Sequence, residues 1–215
     1  KNFEKKKEND DIYTLTATIV DFAGNETSET IAFSVNRYGS VYVFDDSLKN
    51  IEGKFVNKEI DVVVTETNVD SLMPETINVK MAKNGTPADL AKGTDYTVTK
   101  SGGNGKWSQY TYVIDKALFA GDGRYTVSLH SKDAAGNVNE NIDETKKAEI
   151  SFGVDKTAPV IVPIDIESGQ QYPVDNKTVT MAINDNLVLD DATIYLNGKE
   201  VEHEVDGENY TFNVN

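Results

Sequence analysis

Cysteine is absent from this chain of 215 residues. Without cysteine there is no disulfide framework, no thiolate metal site and no cysteine nucleophile. Histidine is nearly as scarce, because His130 and His203 are the only two, so the clustered imidazole ligands of a zinc site are missing as well. The fold must therefore be held together by packing and hydrogen bonding.

Basic residues are also in short supply. The chain has 21 Lys and Arg residues against 36 Asp and Glu residues, which gives a formal net charge of -15. A surface of this sign repels phosphate backbones and anionic lipids, so we expect no nucleic-acid partner. No apolar run approaches the roughly 18 to 20 residues of a membrane span, so we expect no membrane span and no signal peptide in this segment. Because it begins at Lys1 without Met, we expect a segment of a longer protein.

One pattern occurs twice along the chain. Tyr13-Thr14-Leu15 is followed by Asp21-Phe22-Ala23-Gly24-Asn25 and then by Phe33-Ser34-Val35. The second copy runs Tyr125-Thr126-Val127, Asp133-Ala134-Ala135-Gly136-Asn137 and Phe152-Gly153-Val154. The separation of Asp21 and Asp133 suits whole sandwich domains of about 100 residues rather than solenoid repeats of about 20 to 50 residues.

A second likeness joins the middle of the chain to its end. Thr76-Ile77-Asn78-Val79 and Asn84-Gly85 resemble Thr193-Ile194-Tyr195-Leu196 and Asn197-Gly198. Together the two patterns predict three copies of one domain. Residues 1–37 are the closing strands of an incomplete copy, 38–156 form a complete copy, and 157–215 are the opening part of a third. We expect both incomplete copies to be less stable than the middle one.

Alternation of apolar and polar residues predicts β-strands nearly throughout. We predict a short turn of helix at most, within residues 114–120. The seven strands predicted for the middle copy are Val41 to Phe44, Ile60 to Val64, Thr76 to Met81, Tyr96 to Lys100, Lys106 to Ile114, Tyr125 to Leu129 and Ala148 to Val154. Seven short strands with regular turn signals favour a two-sheet antiparallel sandwich over a barrel.

The D-x-A-G-N runs, the F-x-V strands that follow them and the linker Val154-Asp155-Lys156-Thr157-Ala158-Pro159 resemble the bacterial immunoglobulin-like repeats of Gram-positive cell-surface proteins. This resemblance covers the whole chain. It implies tandem immunoglobulin-like β-sandwich domains displayed outside the cell, on its surface or in its wall. It implies no catalytic residue and no cofactor.

The resemblance leads us to expect a non-catalytic stalk or spacer that presents other domains, and not an enzyme. Its partners would be neighbouring domains of the same chain, and we expect a monomer. The alternative is an adhesin or a module that binds host glycan or protein, through loops such as 137–147 and the exposed aromatic residues of the middle copy.

The D-x-A-G-N motif has two interpretations. In the first, Gly24 and Gly136 supply a positive backbone angle, Asn25 and Asn137 tolerate the left-handed region, and the carboxylates of Asp21 and Asp133 accept backbone N–H bonds in a tight turn. In the second, calcium is held at a domain junction by oxygen ligands from the acidic residues Asp155, Asp185, Asp190 and Asp191. The spacing of an EF-hand loop is missing. We favour the structural interpretation.

Tyr13 and Tyr125 stand near the start of a strand, each with an apolar residue two positions later. This is the arrangement of a tyrosine corner, in which the hydroxyl bonds backbone upstream while the ring packs in the core. The apolar residue takes the place that a disulfide cysteine has in antibody domains. We therefore expect Tyr125 to be buried.

The sole tryptophan, Trp107, lies on the face opposite Tyr110, Tyr112 and Ile114. We expect the tyrosine face to point inward and Trp107 to lie near solvent, where it could stack on a sugar or cap the edge of the core. By the same alternation His130 points outward.

The two junctions between copies differ in sequence. Pro159 makes the second one stiff, whereas Gly39 makes the first one looser unless Tyr38 and Tyr42 pack across it.

Overall fold

The computed structural model describes residues 4–103, 105–138 and 146–214. They form two compact units, Lys1–Val154 and Asp155–Asn215. The chain is all-β, with several antiparallel sheets, as the alternation predicted. No helix in these described ranges is long and apolar enough to cross a membrane.

The first unit opens with a long hairpin that forms a sheet of its own. Its strands are β1 (Asp11–Val20) and β2 (Glu26–Val35), which pair antiparallel with Tyr13 opposite Phe33 and Leu15 opposite Ile31. The strands that follow in this unit are β3 (Val41–Phe44), β4 (Phe55–Val56), β5 (Val62–Asn68), β6 (Asn78–Lys83), β7 (Thr86–Asp89), β8 (Tyr96–Gly102), β9 (Ser108–Ile114), β10 (Gly123–His130) and β11 (Glu149–Val154). In the described residues of this unit, helical structure is limited to α1 (Asp46–Lys49) and the 3-10 turns Lys7–Asn9, Pro74–Thr76 and Lys116–Phe119.

These nine strands make two sheets that share one hydrophobic core. One sheet has the order β3-β5-β9-β8 and the other β4-β11-β10-β6-β7, antiparallel except for the short β4–β11 pair. Strands β5, β9 and β10 alternate cleanly between buried residues and partly or fully exposed ones, so one side of each lies in the core. At its centre the rings of Phe119, Tyr125 and Phe152 pack within about 6 Å of one another.

Two strands of the first unit were not predicted from the sequence. The sequence predicts seven strands after the hairpin, and the structure adds β4 and β7. Strand β4 has only two residues, and every residue of β7 is exposed. A half-buried strand is recognised by alternating apolar and polar residues, and neither β4 nor β7 can show that pattern.

The second unit is smaller. Its strands are β12 (Val160–Pro163), β13 (Lys177–Asn184), β14 (Tyr195–Leu196), β15 (Lys199–Glu200), β16 (Glu204–Asp206) and β17 (Asn209–Val214). Four of them form a sheet of order β12-β13-β17-β16, and β14 pairs with β15. The core is a small cluster around Val179, Ile194 and Phe212.

Candidate functional site

Both D-x-A-G-N motifs fold into the same turn. The Asp21 Oδ1 atom accepts the backbone N–H groups of Ala23 and Asn25, each at 2.8 Å, and its Oδ2 atom accepts the Asn25 side-chain amide. In the second motif the Asp133 Oδ1 atom accepts the backbone N–H of Asn137 at 2.8 Å. Gly24 and Gly136 have φ angles of 86° and 94°. The bond from the Asn25 amide is the main cause that lowers the pKa of Asp21.

The two aspartates differ in what surrounds them. Asp21 is exposed, whereas Asp133 is 1% exposed. The Asp133 Oδ2 atom accepts three side-chain amides, from Asn36 at 3.0 Å, Asn68 at 3.0 Å and Asn137 at 2.9 Å. Asn36 directly follows the hairpin, and Asn68 ends β5. One carboxylate oxygen thus ties the hairpin to the two-sheet core.

Asn36 contributes further hydrogen bonds between the hairpin and the two-sheet core. Its Nδ2 atom donates to Asn68 Oδ1 at 2.8 Å and Asp70 Oδ2 at 3.1 Å, as well as to Asp133. An amide nitrogen carries two protons, so three acceptors share them. Asp70 also accepts the Ser34 hydroxyl at 2.9 Å, which adds a bond from β2 itself.

A third aspartate holds the chain where it leaves the hairpin. Asp10 is 3% exposed, and its Oδ2 atom accepts the backbone N–H groups of Arg37, Tyr38 and Gly39 at 3.0, 2.7 and 3.3 Å. Its Oδ1 atom is buried without a hydrogen-bond partner. Gly39 has a φ angle of 83°, and a Cβ atom added there would lie 2.8 Å from the Asn137 Cβ. The close approach of the two segments therefore requires glycine at this position.

We call this set the polar joint: Asp10, Asn36, Gly39, Asn68, Asp70, Asp133 and Asn137. The neighbouring Tyr38 and Tyr42 are each 4% exposed. The Lys146 ammonium lies over the Tyr38 ring and donates to its carbonyl. The relative stiffness of the two junctions remains a prediction.

A second buried polar cluster lies in the core of the first unit. Glu66 is 0% exposed, and its carboxylate accepts hydroxyl groups from Ser40 and Ser131 at 2.5 Å, Tyr112 at 2.8 Å and Tyr42 at 3.1 Å. Burial, and after it the charge of Glu66, raises the pKa of both Tyr42 and Tyr112 well above the ordinary value. Four donors surround one buried carboxylate, so its charge is compensated by hydrogen bonds.

Sequence reasoning missed the Glu66 cluster. A signal was available, because Glu66 follows Val62 and Val64 on the inward side of β5. An acidic residue on the core side of a strand predicts buried donors nearby.

The tyrosine-corner residues have different environments. The Tyr125 hydroxyl donates to the Gly121 carbonyl, four residues upstream, and the residue is 1% exposed. Tyr13 stacks on Phe33 with ring centroids 5.7 Å apart and is 37% exposed. The core that should receive its ring is missing from the described part of the chain.

Three of the four residues proposed for calcium accept hydrogen bonds from nearby backbone N–H groups. Asp185 accepts the N–H groups of Leu187 and Val188, Asp191 accepts that of Ala192, and Asp155 accepts that of Thr157. Asp190 is exposed. In residues 4–103, 105–138 and 146–214, no group of three or more His, Asp or Glu side chains is placed to hold a metal ion.

Trp107 is half-buried, and its indole N–H donates to Asp11 Oδ1 at 3.0 Å, a bond that also lowers the pKa of Asp11. Beside it a cleft of about 270 Å³ lies between the hairpin and the core, lined among others by Ile12, Phe33 and Lys106. His130 is exposed on β10. Residues 139–145 of the predicted binding loop 137–147 lie outside the described residues.

Comparison with known proteins adds little. No family model and no curated protein matches the chain. A solved structure titled "GspB Siglec domain" resembles it with 19% identity and a TM-score of 0.32, over 58% of this chain and 60% of that one. This chain thus matches less than two thirds of that structure's length, and the TM-score is too low to transfer its properties.

Proposed function

We propose that this chain is a non-catalytic segment of tandem immunoglobulin-like domains from a bacterial surface protein, and that it serves as an extracellular spacer for other domains. The observation that carries the proposal is the polar joint. A spacer must hold its parts at a fixed distance, and here a buried carboxylate ties the hairpin to the two-sheet core of the first unit.

The strength of the polar joint follows from burial and charge. Hydrogen bonds to a charged group contribute about 1.5 to 3 kcal/mol each, roughly twice the contribution of neutral bonds. Asp133 accepts three amides through one oxygen at 1% exposure, so water competes poorly for any of them. Bending the hairpin away would leave several buried groups unpaired at once. The joint therefore resists bending.

Spin-label distances test this proposal. Labels at Thr27 on the hairpin and Thr97 on β8 are both at exposed positions. We expect a narrow distance distribution in the wild-type background and a broad one in Asp133→Asn, where an amide replaces the acceptor that three donors share. Asp21→Asn is the matched control, because it changes the same motif position away from the joint. A broad wild-type distribution, or one that Asp133→Asn leaves narrow, would refute the spacer proposal.

The cleft beside Trp107 supports a second candidate, a glycan- or protein-binding module. At about 270 Å³ it lies just below the range of about 300 to 1,000 Å³ that is usual for ligand pockets. Trp107 and Phe33 offer aromatic surface there or nearby. Screening the chain against a panel of host glycans tests this function, and binding that Trp107→Ala abolishes would favour it over the spacer.

A further inference from the structure

The buried carboxylate of Glu66 fixes the direction of the Ser40 hydroxyl. Ser40 is 9% exposed, and its Oγ atom lies 2.5 Å from Glu66 Oε1. A carboxylate only accepts hydrogen bonds, so Ser40 must donate its single proton to Glu66. The Ser40 oxygen therefore presents only lone pairs to its other neighbours.

Asn68 uses one of those lone pairs. Its Nδ2 atom donates to Ser40 Oγ and to Asp133 Oδ2, each at 3.0 Å. Its Oδ1 atom accepts the Asn36 side-chain amide and the backbone N–H of Asp70, each at 2.8 Å. Two donated and two accepted bonds are the full capacity of an amide, and Asn68 is 0% exposed. Reversing this amide would therefore break all four bonds at once.

The Glu66 cluster and the polar joint are thus one hydrogen-bond network. Glu66 and Asn68 stand two residues apart on β5, so both side chains point to the buried face of that strand. Ser40 bridges them from the residue directly before β3. From Asn68 the network continues to Asp133 and to Asn36 at the end of the hairpin. A continuous path of buried bonds therefore joins the core to the hairpin.

We propose that Glu66 is the positioning residue of the polar joint, and that it acts through Ser40. By fixing the Ser40 hydroxyl it fixes the amide of Asn68, and that amide holds the hairpin through Asn36 and Asp133. The orientation of the hairpin is then set inside the core of the first unit. This inference deepens the spacer proposal and rests on the polar joint, because it names the residues that hold the joint in one arrangement.

Removing the Ser40 hydroxyl separates the two halves of the network. Glu66 keeps its other three hydroxyl donors, so its charge stays compensated. Asn68 keeps its bond to Asp133, but its second amide proton lies buried without the Ser40 acceptor. A buried donor that has lost its acceptor is costly, so the amide shifts and Asn36 loses its fixed partner. The hairpin then adopts several orientations.

The spin-label pair of the spacer test also tests this inference. We expect Ser40→Ala to broaden the distance distribution and Ser131→Ala to leave it narrow, even if both variants lower the unfolding midpoint. Ser131→Ala is the matched control, because Ser131 donates to the same Glu66 oxygen at the same 2.5 Å, whereas the bond to Asn68 belongs to Ser40. A narrow distribution in Ser40→Ala, or equal broadening in both variants, overturns the inference and leaves a narrow wild-type distribution in support of the spacer.

A double-mutant cycle measures the coupling without labels, by urea unfolding of the whole chain. Asn68 donates to both Ser40 and Asp133, so Ser40→Ala and Asp133→Asn combined should change the unfolding equilibrium constant by at least about threefold less than the product of their single effects. Ser40→Ala combined with Asp21→Asn, in the exposed turn, should give the simple product. If Asp133→Asn does not fold, Asn36→Ala replaces it, because Asn36 donates to the Asn68 oxygen. Simple products in both pairs overturn the inference, whereas a broad wild-type distance distribution with coupling in the first pair refutes the spacer proposal alone.

Discussion

At the scale of single residues, the same side chain in the same motif does two different things. Asp21 closes an exposed turn, and Asp133 closes an equivalent turn but also receives Asn36 and Asn68 from elsewhere in the first unit. The local bonds follow from the motif, because the turn brings its own donors. The hydrogen bonds from Asn36 and Asn68 depend on the tertiary fold, because it places these two amides next to the Oδ2 atom of Asp133.

Replacing Tyr125 by Phe removes the hydroxyl that donates to Gly121. We expect a loss of about 1 to 3 kcal/mol in the free energy of unfolding of the first unit, since a partly buried carbonyl is left without its donor. Tyr13→Phe is the matched control, because Tyr13 is 37% exposed, and it should change stability far less. Urea unfolding measures both, and an unchanged midpoint for Tyr125→Phe would contradict the corner.

The tyrosines around Glu66 make stability fall at alkaline pH. Their pKa values are raised in the folded protein from the ordinary 10.0, first by burial and then by the Glu66 charge. The folded state therefore keeps protons that the unfolded chain loses, so this contribution is complete below about pH 10 and is lost as the pH rises above it. Each tyrosine adds a slope of up to about 1.4 kcal/mol per pH unit.

Stability curves from pH 9 to 12 measure this slope. Tyr112→Phe should reduce it even though the variant is less stable at every pH. Tyr195→Phe, at 63% exposure, should leave it unchanged. A wild-type slope that Tyr112→Phe does not alter would contradict a contribution of Tyr112 to the alkaline loss.

At the scale of elements, the hairpin is joined to the core by short polar contacts rather than by a broad apolar interface. The bonds of Asn36, Ser34 and Asp10 all fall within a few residues of the ends of β1 and β2. The far end of the hairpin, around Phe22, extends into solvent. Orientation of the hairpin therefore depends on close approach at the polar joint.

Gly39→Ala tests that approach. A side chain there meets the Asn137 Cβ at 2.8 Å, and the φ angle of 83° adds strain of about 1 kcal/mol. Gly24 has a similar φ angle of 86° but nothing within 4 Å of an added Cβ. Gly24→Ala should therefore show the strain alone, and Gly39→Ala should lower the unfolding midpoint further. Equal unfolding midpoints for the two variants would mean that the polar joint accommodates the added methyl group without loss of stability.

At the scale of the whole molecule, the two units differ in the size of their cores. Nineteen apolar side chains are buried in the main cluster of the first unit, and three in that of the second, counted over the described residues. Burial of apolar surface is the main favourable contribution to folding. The second unit should therefore be the weaker one, as the sequence led us to expect of the incomplete third copy.

Calorimetry at low micromolar concentration should show two transitions. Phe212→Ala should shift only the earlier one, by about 3 kcal/mol in the free energy of unfolding, since Phe212 is 8% exposed in the small cluster. Val127→Ala, in the core of the first unit, should shift only the later one. A single transition that both variants move would show that the units unfold together.

Much of this fold can be predicted from local patterns of the sequence. Alternation in Tyr125, Val127 and Leu129 predicts an inward face, and burial of at most 2% confirms it. The two similar stretches of sequence form similar antiparallel pairs, with Tyr13 opposite Phe33 and Tyr125 opposite Phe152. These features need only the two-residue period of a strand and the chemistry of a turn, and both act over a few residues.

The tertiary structure decided how far each residue of these patterns is buried and which partners it has. Tyr13 and Tyr125 share one local sequence, but among the described residues Tyr125 is 1% exposed and Tyr13 is 37% exposed. Asp21 and Asp133 share one turn, but only Asp133 meets remote amides. The Glu66 cluster likewise gathers hydroxyls from Ser40, Tyr112 and Ser131, which lie far apart along the chain. The burial and charge compensation of a residue depend on the side chains that contact it. Those side chains come from distant parts of the chain, so the neighbouring sequence does not contain them.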